Sequence, residues 1–167
     1  MRPACVLVGV MGAGKTTVGE LLAERLGTAF RDTDADIEAD AGKPISEIFI
    51  DEGEAHFRTL EEAAVKSALA SFGGVLALGG GAVLSERTRA VLAGHSVVFL
   101  SVGLSDAVSR VGLGAGRPLL AINPRATLKH LMDQRRPLYE EVATFTVATD
   151  GRDPVEIADE IVTLLKP

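Results

Sequence analysis

The chain has 167 residues, a length that fits one domain and is short for two. Apolar residues make up 47% and charged residues 24%, a balance typical of folded globular proteins that excludes extensive disorder. The net charge is −6 and aromatic residues are only 4%, so the composition argues against nucleic acid as a partner.

The N-terminal residues and the single cysteine bear on location. No apolar run approaches the roughly 18 residues that cross a bilayer, and residues 1–4 lead directly into a short apolar run. Cys5 cannot form an intramolecular disulfide, which fits a reducing compartment. We therefore expect no signal peptide, no membrane segment and a cytoplasmic location.

Short aliphatic runs alternate with helical patterns along the whole chain. The predicted strands are 4–9, 29–31, 75–78, 96–102 and 145–149. A helix is predicted after the second strand, ending at residue 42. The other predicted helices are 15–26, 46–51, 54–69, 85–93, 105–111, 123 to about 134, and 153–165. Aliphatic strands separated by helices are typical of a parallel sheet covered on both faces. The sequence predicts a three-layer α/β fold with a five-stranded parallel sheet, forming a single domain over residues 1–167.

The segment between the first strand and the first helix carries a phosphate-binding motif. It reads GVMGAGKT over residues 9–16 and matches G-x-x-x-x-G-K-[ST] at every fixed position. Glycines let backbone N–H groups surround a phosphate, the lysine adds charge, and the hydroxyl can join a Mg²⁺ shell. The predicted nucleotide-binding residues here are Gly12, Ala13, Gly14, Lys15, Thr16 and Thr17.

The same motif occurs in several classes of protein. A guanine-specific switch needs an Asn-Lys-x-Asp base reader, but the one asparagine, Asn123, precedes a proline. A large motor ATPase needs a longer chain. A small kinase and a noncatalytic nucleotide-binding module remain as alternatives.

Acids and glycines follow the next two predicted strands. Asp32 and Asp34 are two residues apart, and on an extended segment they would point the same way. One could then serve a metal ion through water while the other orients an attacking hydroxyl; the alternative is a helix-capping acid beside a solvated one. Residues 79–81 are all glycine, which leaves backbone amides accessible to a ligand, unless the segment is simply a mobile turn.

Three arginines complete the candidate site. Arg58 lies in a predicted helix, Arg135 near the end of another, and Arg117 just after the glycine-rich residues 112–116. A glycine-rich loop that carries one arginine is typical of a closing lid, here predicted at about 112–123. Arginine suits planar carboxylates and phosphates, so this set in an acidic protein favours an anionic substrate, although any one alone fits a surface position equally well.

The order of the motifs GVMGAGKT, DTD, F-R-x-L-E-E, LGGG, G-R-P-L-L and R-R-P-L-Y resembles that of the shikimate kinase family. The resemblance extends from Gly9 to Pro154, nearly the whole chain. It implies a P-loop fold of the nucleoside monophosphate kinase type with a mobile lid. It also implies transfer of the γ-phosphoryl group of ATP to the 3-hydroxyl of shikimate, in the pathway to chorismate and the aromatic amino acids.

The resemblance assigns roles to the catalytic and metal positions. Asp34 resembles the acid that holds and activates the shikimate hydroxyl, while Lys15 and Arg117 would share the charge of the transferring group. Thr16 and Asp32 resemble the Mg²⁺ positions, with Asp32 acting through water. Mg²⁺ is therefore the implied cofactor and ATP the co-substrate.

The resemblance also assigns the substrate and adenine positions, with substrate-binding helices at about 34–62. Arg58 and Arg135 resemble the pair that grips the shikimate carboxylate; because Arg136 is adjacent, the choice between Arg135 and Arg136 stays open. The remaining implied positions are Glu61 as the acid that orients Arg58, Phe49 and Phe57 as apolar walls, Gly79, Gly80 and Gly81 at the substrate, and Arg110 and Arg152 beside adenine.

Two alternatives to this reaction are considered. A gluconate kinase shares the phosphate loop and the combination of acid and arginine, but the LGGG and R-x-P-L-Y elements argue against it. A noncatalytic binding module would be expected to lose Lys15, Asp34 or Arg58, and all three are present. The expected partners are shikimate and ATP, with no nucleic acid and no membrane. Since the sequence has neither heptads nor an extra helix, a monomer is expected.

Overall fold

Five short strands form one parallel sheet in the computed structural model, which describes residues 2–111 and 124–166. The strands are β1 (Cys5–Val8), β2 (Phe30–Asp32), β3 (Val75–Ala77), β4 (Val97–Ser101) and β5 (Phe145–Ala148). Their order across the sheet is β2–β3–β1–β4–β5, and every neighbouring pair is parallel. All residues of β1 and β3 are buried. Because alternate residues point to opposite faces, both faces of the sheet are covered, and the predicted architecture is confirmed.

Helices connect and cover the strands. They are α1 (Lys15–Leu26), α2 (Thr33–Ala41), α3 (Ile45–Glu52), α4 (Glu54–Ser71), α5 (Glu86–Leu92), α6 (Leu104–Val111), α7 (Pro124–Val142) and α8 (Pro154–Leu165), with a short 3₁₀ turn at Ala82–Leu84. Helix α1 has the predicted bounds, because Gly14 and Gly27 adopt left-handed conformations at its two ends. No helix in the described part of the chain is both long and apolar enough to cross a membrane. The predicted lid at 112–123 lies outside the described residues.

The predicted end of α7 near residue 134 is wrong. The helix continues to Val142 with Pro137 inside it, although an internal proline costs a helix about 3 kcal/mol. Packing of the last turns offsets this penalty. Tyr139 is fully buried, its ring stacks on Phe99 with 5.1 Å between centroids, and its hydroxyl donates a hydrogen bond to the Gly80 carbonyl.

The predicted extended segment at residues 32–34 is also wrong. Helix α2 begins at Thr33, so Asp34 lies in its first helical turn and does not follow Asp32 along a strand. The side chain of Asp32 caps the helix by accepting a hydrogen bond of 2.9 Å from the backbone N–H of Asp34. The helix-capping alternative therefore describes Asp32, whereas Asp34 is half-buried, with its Oδ1 atom shielded from solvent.

The buried apolar side chains form two clusters. The larger surrounds the sheet and includes Cys5 in the central strand, where burial raises the pKa of the thiol to about 12. The smaller joins α2, α3 and α4 through Ile37, Ile48 and Phe57. Helices α2–α4 thus carry a small core of their own beside the carboxyl end of the sheet.

Candidate active site

A cleft of about 640 Å³ lies at the carboxyl ends of β1, β2 and β3. The phosphate loop follows β1, helix α2 follows β2, and the three glycines follow β3. Parallel α/β sheets bind ligands at this edge. The predicted site residues that line the cleft are Gly12, Gly14, Lys15, Thr16, Thr17, Asp32, Asp34, Phe49, Phe57, Arg58, Glu61, Gly79, Gly80, Gly81, Arg110 and Arg135.

The phosphate loop is closed by its own lysine. The ammonium of Lys15 donates hydrogen bonds to the carbonyl oxygens of Gly9 at 2.6 Å and Val10 at 3.1 Å. Helix α1 starts at this lysine with no side-chain cap among the described residues, and its first residues line the cleft, so this helix end suits an anion. Ala13 differs from its neighbours, because it is buried and its N–H donates to Val10.

Asp34 is the acid in the cleft with the most unusual environment. Its Oδ1 atom is buried and has no hydrogen-bond partner among the described residues. Burial raises the pKa of Asp34 to about 6, and the nearby carboxylate of Asp32 pushes it in the same direction, against weaker opposing effects of Lys15 and Arg58. A carboxylic acid with a pKa near neutrality is suited to accept a proton from a substrate hydroxyl.

Asp32 and Thr16 are the residues that could hold a divalent cation. Both line the cleft, and burial raises the pKa of Asp32 while the N–H of Asp34 and the Lys15 charge lower it. The described residues contain no cluster of three His, Cys, Asp or Glu side chains able to hold a metal. Mg²⁺ needs no such cluster, because it commonly takes one or two protein ligands together with phosphate oxygens and waters. A hydroxyl and a carboxylate beside a phosphate loop fit that ligand set.

Arg58 is fixed on α4 by two acids. One guanidinium nitrogen donates to Glu61 at 2.8 Å, and the opposite edge donates to Glu54 at 3.3 Å. The guanidinium also lies 5.2 Å from the ring centroid of Phe57. Glu61 is only 3% exposed, and burial raises its pKa to about 7 although Arg58 favours its charged form.

The two adjacent arginines of α7 face different surroundings. Arg135 is buried, lines the cleft, and its Nε has no hydrogen-bond partner among the described residues. The side chain of Arg136 is 53% exposed, lies over the ring of Phe99 and is 3.9 Å from Glu140. The structure therefore places Arg135, not Arg136, in the cleft.

The two arginines predicted to lie beside adenine have different positions relative to the cleft. Arg110 lines the cleft and donates to the carbonyl oxygens of Gly12 at 3.1 Å and Thr149 at 2.9 Å. Arg152 is not part of the cleft lining; it pairs with Glu160 at 2.7 Å and with Glu156 at 3.3 Å. The predicted lid residue Arg117 lies outside the described residues.

Several residues of the site lie outside every motif of the sequence. Pro44 and the first two residues of α3, Ile45 and Ser46, line the cleft, and no motif marks them. The periodicity of α7 does contain a usable signal. Its buried positions Leu128, Leu131, Arg135 and Tyr139 are spaced by 3, 4 and 4, so the helical period distinguishes Arg135 from Arg136 and also identifies Tyr139.

The fold and the cleft together define a class: P-loop kinases that act on a small acceptor. A family model described as shikimate kinase matches residues 11–166. A shikimate kinase of Salinispora arenicola is 73% identical over 165 residues, which cover 99% of each chain. A solved structure of shikimate kinase from Acinetobacter baumannii in complex with shikimate has a TM-score of 0.94 and 40% identity, covering 99% of this chain and 93% of that one. The chain belongs to the shikimate kinase family.

A gluconokinase from Sinorhizobium meliloti is a more distant match. Its solved structure has a TM-score of 0.62 and 24% identity, covering 99% of this chain and 93% of that one. That degree of likeness shows a common fold alone. The gluconate kinase alternative therefore has weaker support than the shikimate kinase assignment.

Proposed function

We propose that the protein transfers the γ-phosphoryl group of ATP to the 3-hydroxyl of shikimate. The products are 3-phosphoshikimate and ADP, a step toward chorismate and the aromatic amino acids. The observation that carries this proposal is the cleft itself, which combines a phosphate loop, the half-buried acid Asp34, and the arginines Arg58 and Arg135. Membership of the shikimate kinase family supports it.

The acceptor side of the cleft suits a small cyclic carboxylic acid. Arg58 and Arg135 would bind the shikimate carboxylate, since guanidinium groups pair with planar carboxylates through two hydrogen bonds. Glu61 holds Arg58 in the required orientation. Phe49 and Phe57, whose ring centroids are 4.9 Å apart, would form an apolar wall for the substrate ring, and Gly80 offers its backbone.

The transfer is proposed to be direct and in line. The hydroxyl oxygen of shikimate forms a bond to the γ-phosphorus, the bond to the ADP oxygen breaks, and Asp34 accepts the hydroxyl proton. Lys15 lies at the end of the phosphate loop, where its charge would stabilise the phosphoryl oxygens. This chemistry depends mainly on positioning and charge stabilisation, so no covalent enzyme intermediate is required.

Thr16 and Asp32 would hold Mg²⁺, with Asp32 acting through water. The ion would supply positive charge to the phosphate oxygens of ATP. The capping hydrogen bond of α2 uses Oδ1 of Asp32, and Oδ2 of the same carboxylate would orient the water. Arg110, at the phosphate loop, is proposed to contact the nucleotide.

Arg117 is proposed to bring a further positive charge to the transferring group from the lid. We expect Arg117→Ala to lower kcat far more than it weakens shikimate binding, because the charge is needed in the transition state. Steady-state kinetics and calorimetric shikimate binding measure the two effects separately. An unchanged kcat would remove Arg117 from the catalytic set.

We also propose that the enzyme works as a monomer in the cytoplasm, without nucleic acid or membrane. The sequence has neither heptads nor an extra helix that would form an obligate dimer, which supports the proposal of a monomer. Sedimentation of the purified protein with and without substrates measures the oligomeric state. A dimer at assay concentration would contradict this part of the proposal.

The decisive experiment is a coupled assay of ADP release with ATP and Mg²⁺. Shikimate, gluconate and no acceptor are compared, with Asp34→Asn as the control variant. We expect turnover with shikimate alone, and its loss in Asp34→Asn, because the amide cannot accept the proton. ATP binding without acceptor-dependent turnover would instead favour the noncatalytic binding module.

A further inference from the structure

Two of the three consecutive glycines lie against functional side chains. A Cβ atom built on Gly79 would be 2.4 Å from Oδ1 of Asp34, and one built on Gly81 would be 2.4 Å from a guanidinium nitrogen of Arg58. Real Cβ atoms essentially never approach another heavy atom this closely. Each position therefore excludes any side chain while Asp34 and Arg58 stay where they are.

Backbone conformation does not explain the glycines. Neither Gly79 nor Gly81 has a positive φ, and the φ of Gly81 is −97°, which any residue adopts. Gly80, between them, differs from both, since its Cβ would be 3.5 Å from the nearest atom of Arg135, an ordinary contact. The requirement for glycine at 79 and 81 thus comes from the neighbouring side chains.

We propose that Gly79 and Gly81 are positioning residues, each providing the space that holds one functional side chain of the acceptor site. Gly79 receives the carboxylate of Asp34 from α2, and Gly81 receives the guanidinium of Arg58 from α4. The distance between the acid and the arginine is thereby set by one short backbone segment that follows β3.

Other contacts show why these spaces control position. Arg58 also donates hydrogen bonds to Glu61 at 2.8 Å and Glu54 at 3.3 Å, so the backbone at Gly81 is a third neighbour that limits where the guanidinium can lie. The start of α2 is joined to the same segment, because the N–H of Gly79 donates to the hydroxyl of Thr33 at 3.4 Å. An added methyl group would push against the ends of two side chains, which can move while the backbone stays folded.

The kinetic test uses Gly79→Ala and Gly81→Ala. We expect Gly81→Ala to raise the KM for shikimate by about 10-fold or more with little change in kcat, because the displaced guanidinium loses its grip on the carboxylate. We expect Gly79→Ala to lower kcat by about 10-fold or more, because Asp34 leaves the hydroxyl. The KM for ATP should stay unchanged in both. Equal losses for both substrates would indicate general disruption and would overturn the proposal.

The second test asks whether each glycine acts through its proposed partner. Gly79→Ala should lower Tm by roughly 3 to 10 °C in the wild-type background. It should have almost no effect in an Asp34→Ala background, where the colliding oxygen is gone. Gly81→Ala is combined with Arg58→Ala in the same way, with the dissociation constant of shikimate as a further measure.

These outcomes remain decisive even if one single variant does not fold. Where Gly79→Ala fails to fold, the double variant with Asp34→Ala should fold, and its failure would overturn the proposal. The proposal would also be overturned if the Tm changes of the glycine variant and its partner variant simply added in the double variant, for either pair. The kinetic test depends on the proposed function, whereas the Tm cycles need no substrate, so failure of the function and failure of this inference are distinguishable.

Discussion

The environment of Asp34 fixes the pH range in which it can accept a proton. Because burial raises its pKa to about 6, the carboxylate is the main form at pH 7, but only about a tenth of it remains at pH 5. We therefore expect kcat/KM for shikimate to fall about tenfold per pH unit below pH 6. The pH profile measured under conditions where the protein stays folded tests this, and a flat profile down to pH 5 would contradict the assignment of Asp34 as the base.

Glu61 also titrates near this range and needs a control. Burial raises its pKa to about 7, and loss of its charge as the pH falls weakens the pairing that orients Arg58. Glu61→Gln keeps a hydrogen-bond acceptor for Arg58 but cannot titrate. We expect this variant to retain the decline below pH 6 and to lose any change in shikimate KM near pH 7. If kcat/KM no longer declined below pH 6 in Glu61→Gln, that decline would be assigned to Glu61 instead of Asp34.

At the scale of the element, helix α7 separates two adjacent arginines by its rotation of about 100° per residue. We expect Arg135→Lys to raise the KM for shikimate roughly 10- to 100-fold, since a lysine loses the paired hydrogen bonds of a buried guanidinium. Arg136→Lys is the matched control, because Arg136 is exposed beside Phe99. Steady-state kinetics of both variants give the comparison. A larger effect of Arg136→Lys would reverse the assignment.

Elements with local signals at both ends were predictable from sequence. Helix α1 begins after Gly14 and ends before Gly27, and α8 begins at Pro154 because Asp153 caps it by accepting from Val155. The end of α7 was not predictable from such signals. Burial of Tyr139 against the sheet is a tertiary effect that overrides the local effect of Pro137.

The site shows the same division between local and long-range information. The motifs predicted Lys15, Asp34 and Arg58 as site residues, and all three line one cleft. They could not show that the glycines after β3 make room for side chains from α2 and α4, because those contacts join residues 23 to 46 positions apart. Nor could they show that Arg152 is engaged by the acids of α8.

At the scale of the whole molecule, the acceptor residues are supported by the smaller apolar core. Ile48 is fully buried between α2, α3 and α4, whereas Ile161 on α8 is fully buried in the larger core. We expect Ile48→Ala and Ile161→Ala each to lower stability by about 2 to 5 kcal/mol. Ile48→Ala should also raise the KM for shikimate, because the helices that carry Asp34 and Arg58 lose their shared contact.

Ile161→Ala serves as the matched comparison for that prediction. It should lower Tm by a similar amount while leaving the KM for shikimate unchanged, since α8 packs mainly against α1 and β5 and not against the helices that carry Asp34 and Arg58. Thermal unfolding and kinetics at a temperature well below both midpoints separate the two effects. Equal KM changes in the two variants would show that the smaller core does not support the acceptor side specifically.

The reactivity of the chain's single cysteine reports on opening of the central sheet. Cys5 lies fully buried in the central strand, and its thiol has a pKa of about 12, so in the native state it is both inaccessible and almost entirely un-ionised. A thiol-specific label can therefore reach it only when the middle of the sheet separates. The rate of labelling follows the population of that opened state, and its slowing by bound substrates reads out their affinity in the unmodified enzyme.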